Sequence, residues 1–152
     1  MRFMTKALTA ALFAVAVAGL AGQASAQQKP EDALKMRQGL FEALKTNFGP
    51  FGAFAKGVAP LPADAVQRAE NMAALAKILP MAFAKGTEKL PHSETKAEAF
   101  TSADFMKGFG MLGEASAKLQ AAAASGDEGA IKAAIGGVGK TCKGCHDNFR
   151  QE

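Results

Sequence analysis

From Pro30 onward the apolar residues recur at three- and four-residue steps and nowhere alternate, which predicts helices and no sheet. The first helix opens at Pro30-Glu31-Asp32, carries Leu34, Leu40, Phe41, Leu44 and Phe48, and is interrupted by Gly49-Pro50 and later by Pro60 and Pro62. A second runs from about Asp64 to Leu79, with Ala65, Ala69, Met72, Ala76 and Leu79 on one face and Pro80 as its stop. Residues 81–100 hold Gly86, Pro91 and polar clusters without a sustained period, so they read as a long connection, a length that commonly serves to cover a ligand.

The third helix starts behind Thr101-Ser102 as cap and repeats Phe105, Phe109, Leu112, Ser116, Leu119 and Ala123. Ser125-Gly126-Asp127 ends it and caps the fourth, whose stripe is Ile131, Ile135, Val138, Cys142, Cys145 and Phe149. Gly136, Gly137, Gly139 and Gly144 lower the propensity of this last helix and point to something bulky beside its backbone. Four helices and three connections predict an all-α fold, most simply an antiparallel up-down-up-down four-helix bundle.

Ahead of this pattern stand basic Arg2 and Lys6, an apolar run from Ala7 to Leu20, and Ala24-Ser25-Ala26. That is the layout of a secretory signal peptide over residues 1–26, with a mature domain of 27–152 beginning at Gln27. A membrane anchor is the alternative, but the run falls short of the ~20 residues a span needs. The mature chain is therefore expected to be exported and to have no membrane segment.

Losing Arg2 and Lys6 with the leader leaves sixteen Lys and Arg against fourteen Asp and Glu, a net charge of +2. No lysine-rich stripe remains to neutralise a row of phosphates, so nothing supports nucleic-acid binding.

The chain has two cysteines, both in Cys142-Lys143-Gly144-Cys145-His146. A pair one helical turn apart closes no useful disulfide loop, so local chemistry explains it better. The three-residue spacing puts both sulfurs on one side of a turn, placed for thioethers to two neighbouring porphyrin vinyl groups, with the adjacent imidazole of His146 within reach of the iron. This is the attachment pattern of haem c. A thioredoxin-like thiol pair would need a βαβ setting, and a structural zinc site about four ligands where only His92 remains. Chance occurrence sits poorly with an export signal and no other cysteine.

These stretches resemble the cytochromes c′, class II c-type cytochromes, over essentially the whole mature chain. The likeness rests on Pro30-Glu31-Asp32-Ala33 to Arg37-Gln38, on Gly86-Thr87-Glu88, and on Gly139 to Arg150 around the haem motif. It implies a four-helix bundle with one haem c, a periplasmic location, and a homodimer packed through the first two helices. Family members often carry a tryptophan before the third helix, where this chain has Ala99-Phe100.

In that family a methionine on the first helix, facing the open side of the haem, gives six-coordinate low-spin iron. The matching position here is Phe41, and a phenyl ring has no lone pair to offer. Met36 lies roughly 140° around the helix from Phe41 and belongs with the core. The expectation is five-coordinate high-spin iron that binds nitric oxide and carbon monoxide, with Phe41 as a steric gate.

Arg37, four residues before Phe41, is placed to reach a haem propionate, and Arg150, four after His146, to flank the proximal imidazole; a solvated surface arginine is the alternative for each. Gln38 and Glu94 match family positions near the haem edge, and His92 belongs to an exposed loop. The rival reading is a six-coordinate low-spin cytochrome acting purely in electron transfer with a redox partner the sequence does not name. An enzyme is not expected, because Phe41, Leu40 and Leu44 move no protons.

Overall fold

The computed structural model describes residues 29–151, in which four helices follow one another: α1 Pro30–Ala55, α2 Ala65–Ile78, α3 Ala103–Ser125 and α4 Glu128–Phe149. The expected signal peptide, 1–26, and the expected mature start at Gln27 lie outside the described residues. Pro30 stands at the start of α1, where a missing N–H costs nothing, and Glu31 and Asp32 face the positive end of the helix dipole. The turn between α3 and α4 follows the sequence reading closely. Ser102 Oγ accepts the Phe105 N–H at 3.2 Å to start α3, Gly126 ends it at φ 72°, and the Asp127 carboxylate accepts the Ala130 N–H at 2.6 Å to start α4.

The structure departs from the sequence reading at Gly49-Pro50. Instead of stopping there, α1 continues to Ala55. Pro50 has no N–H to give the Thr46 carbonyl, but Arg68 of α2 supplies the missing donor, its Nη1 bonding Thr46 O at 3.1 Å. Burial then holds the extra turns, since Phe51 directly after the proline is completely enclosed.

The inner faces of the helices meet around Phe51, Met72, Leu79, Leu119, Ile131 and Val138, all essentially sealed from solvent. Helix α2 packs along α3, and α3 along α4, over most of their lengths, whereas α1 meets α4 at few points. The bundle therefore opens between its first and last helices. Among the glycines of α4, a Cβ built at Gly136, Gly137, Gly139 or Gly144 meets no protein atom within 4 Å. No protein neighbour therefore requires glycine there.

The connection from α2 to α3 is organised by three 3-10 turns, Leu79–Ala82, Thr87–Lys89 and Ala97–Thr101. Its anchor is Arg37 of α1, only 3% exposed. The guanidinium donates from Nη1 to Thr87 Oγ1 and from Nη2 to Ser93 Oγ, each at 2.9 Å, and lies over the Phe83 ring at 4.9 Å and the Phe100 ring at 5.7 Å. Burial works against its charge and nearby Glu88 supports it.

The Gly86-Thr87-Glu88 stretch serves this anchor residue by residue. Gly86 takes φ 97°, which only glycine adopts without strain, and its N–H donates to the Glu88 carboxylate at 2.7 Å. Thr87 is completely buried under Arg37.

Two expected outcomes follow from this packing. Arg37→Lys, which cannot bridge both hydroxyls or stack flat on two rings, should lower the unfolding free energy by about 2 kcal/mol in denaturant titration. A loss under about 0.5 kcal/mol would mean that the anchor is not structural. Ser116 is fully enclosed in α3 and its hydroxyl finds no partner among the described residues, so Ser116→Ala should raise the melting midpoint by about 4 °C; a lowered midpoint would reveal a partner.

Candidate functional site

Where α1 and α4 part, the bundle encloses a cavity of about 700 Å³, within the range of about 300–1,000 Å³ common for cofactor sites. Its walls are mostly apolar, with Leu44 and Phe48 from α1, Met72 from α2, Phe105, Phe109 and Leu112 from α3, and Phe149 from α4. Every residue singled out from the sequence as a candidate for the site lines it. Cys142, Cys145, His146 and Arg150 stand on the α4 side, Arg37, Gln38 and Phe41 on the α1 side, and Glu94 on the connection. Met36 is half-buried and is not part of the wall, as its angle from Phe41 on the helix requires.

Burial pushes both thiols above their ordinary pKa, and Cys145 is pushed further by Cys142. Protonated thiols of this kind are unlike redox pairs, whose thiolate is stabilised. Among the described residues no three His, Cys, Asp or Glu side chains converge to hold a metal ion, so a zinc site has no support. Partial burial, and then the Arg150 charge, hold His146 below the usual imidazole value. Both favour the neutral ring, the form that has a lone pair for a metal. Two thiols on one helix turn, a neutral imidazole and an apolar chamber together fit haem c.

On the α1 side of the cavity, Phe41 is half-buried and rests edge-on against Phe83, ring centres 6.2 Å apart at 82°. Phe83 was not singled out from the sequence, because it sits in a stretch without helical period. It nonetheless joins the cluster's parts, packing on Phe105 at 4.8 Å and Phe109 at 5.5 Å while carrying Arg37 on its face.

The polar candidates turn out to be partners of the connection. Arg37 is a buried anchor whose Nη1 and Nη2 both bond protein hydroxyls, so it is not a solvated surface arginine. Gln38 Nε2 donates to the His92 carbonyl at 3.4 Å. Arg150 pairs with Glu94 at 2.6 Å, both side chains more than half exposed. His92 is exposed as expected, yet it reaches the cavity wall, in a backbone conformation with φ 65°. Thr87 and Ser93, neither of them named as a site residue from the sequence, receive Arg37.

Comparison with known proteins agrees with this geometry. A sequence model of the family described as Cytochrome C′ matches residues 32–150. Cytochrome c′ of Rubrivivax gelatinosus is 40% identical over 129 residues, covering 82% of this chain and 98% of that protein. The structure of cytochrome c prime from Shewanella frigidimarina superposes with a TM-score of 0.76 at 37% identity, covering 82% of this chain and 98% of the other. A nitric oxide complex of a point variant of cytochrome c prime from Alcaligenes xylosoxidans superposes at 0.68 with 34% identity and the same coverage. A cavity ready for haem c, framed by a bundle that superposes on these proteins nearly end to end, leaves one assignment: the chain belongs to the cytochrome c′ family and has covalently bound haem c as its cofactor.

Proposed function

We propose that this chain is an exported haem protein that binds nitric oxide, and carbon monoxide, at an open iron site guarded by Phe41. In this reading Cys142 and Cys145 hold the haem by thioethers and His146 is the single protein ligand of the iron. The bound haem supplies an iron able to take a diatomic ligand and to change oxidation state. The observation that supports the proposal is Phe41, a phenyl ring on the α1 side of the cavity that Cys142, Cys145 and His146 line from α4, packed against Phe83. A side chain without a lone pair fills space there but leaves the iron five-coordinate and high-spin.

The Phe41 ring gives bound oxygen no hydrogen bond, which favours the two other gases. The nitric oxide complex of the Alcaligenes protein supports the same ligand class. Phe41 and Leu44 on the α1 side of the cavity neither give nor take protons, so binding rather than catalysis is the role proposed. Export to the periplasm under the residue 1–26 signal and a homodimer through α1 and α2 belong to the same proposal; among the described residues no helix is long and apolar enough to cross a membrane.

Pure electron transfer through six-coordinate iron is the competing reading. Among the described residues Met72 is the one methionine on the cavity wall, and it is 1% exposed and packed within the core cluster. The absorption spectrum decides between the two. The purified protein should show high-spin bands that shift on adding nitric oxide or carbon monoxide, and Phe41→Met should convert them to a low-spin, six-coordinate spectrum. A wild-type spectrum that is low-spin and indifferent to carbon monoxide, or a Phe41→Met spectrum that stays high-spin, would overturn the assignment.

A further inference from the structure

Residues 92–96 are tied at both ends. Toward α1, the Ser93 hydroxyl receives Arg37 Nη2 at 2.9 Å and the His92 carbonyl receives Gln38 Nε2 at 3.4 Å. Toward the end of α4, the Lys96 N–H donates to Phe149 O at 2.9 Å and the Gln151 N–H to Glu94 O at 2.8 Å. Thr95 and Arg150 thereby form an isolated antiparallel bridge. Side chains reinforce it: Lys96 Nζ bonds Asn148 O at 3.1 Å, Gln151 Nε2 bonds Thr95 O at 3.3 Å, and Glu94 pairs with Arg150 at 2.6 Å.

Arg150 is the residue so held, and its own N–H bonds the His146 carbonyl at 3.1 Å. The five-residue segment thus spans from the turn of α1 just before Phe41 to the turn just after His146. Helices α1 and α4 touch little elsewhere, so this segment is a principal physical link between the two cavity walls.

We propose that residues 92–96 act as a strap coupling the Phe41 wall to the His146 wall, with Glu94 as the positioning residue that fixes the Arg150 side chain one helical turn after His146. An exposed ion pair of this kind adds little stability, so its effect is geometric: it selects one Arg150 rotamer out of many. The strap gives that choice a connection to α1. A shift of the Arg37–Gln38 turn, as when the neighbouring Phe41 yields to an entering ligand, pulls on His92 and Ser93 and through them on Glu94 and Arg150. This inference rests on the proposal that His146 ligates the iron.

The test uses the haem-loaded full-length mature protein and two readouts, amide hydrogen exchange at Lys96 and Gln151 and the iron–imidazole stretching band of the reduced, ligand-free state. Glu94→Gln should speed exchange at both amides about three-fold and shift the band, and Glu94→Asp should restore both toward the starting values. Gln38→Ala, on the opposite wall, should change the same amides in the same direction. Wild-type exchange at Lys96 and Gln151 in Gln38→Ala would overturn the coupling. An unshifted band in Glu94→Gln would overturn the positioning role even if exchange quickens. If the iron proves six-coordinate, the band is absent in the wild type and the gas-binding reading fails on its own, while the exchange arm still decides the strap.

Discussion

The guanidinium of Arg37 is the interaction on which this architecture turns. A charge removed from water is tolerable only where hydrogen bonds and polarisable faces replace the lost hydration. Here two hydroxyls and two phenyl rings do so, and all four come from the connection between α2 and α3. That connection has almost no repeating structure of its own, so its path is dictated by the groups that must surround the charge. Because Arg37 lies one turn from Phe41, the same constraint sets the spacing between the α1 wall and the aromatic cluster built on Phe83.

An open chamber inside a four-helix bundle also needs a reason not to collapse. Close contact of α2 with α3 and of α3 with α4 forms much of the core, to which α1 adds Leu44 and Phe51. Helix α1 is then held by its far end, through Phe51 and the Arg68–Thr46 bond, and by Arg37 near its start. Supported at both ends, it stands away from α4 in between, and the wall residues left facing each other are those that favour a flat apolar group.

Much of this was legible in the sequence. The Cys142–His146 motif carries its chemistry in five adjacent residues, and the helical stripes of α2, α3 and α4 appear where the three- and four-residue spacing places them. What could not be read depended on partners far along the chain. Pro50 stops a helix unless another donor serves the carbonyl it abandons, and that donor, Arg68, is eighteen residues beyond the proline in a different helix. That Arg37 also anchors Thr87 and Ser93, 50 and 56 positions away, has no local sign in the sequence. Glu94 and Arg150 were both marked for the site, but their pairing with each other is a tertiary fact with no periodic signature.

The two walls of the cavity come from opposite ends of the domain, Phe41 and Cys142 being about a hundred residues apart. Such a chamber cannot be assembled by any local stretch of chain. Its formation requires a long loop to close, a cost that rises only slowly with length but has to be met before the distant contacts give anything back. The α3–α4 hairpin, joined through Gly126 and Asp127 alone, carries little of that burden. The connectivity thus divides the molecule unevenly: the α3–α4 turn is made by adjacent residues, while the pocket depends on contacts that close nearly the whole domain.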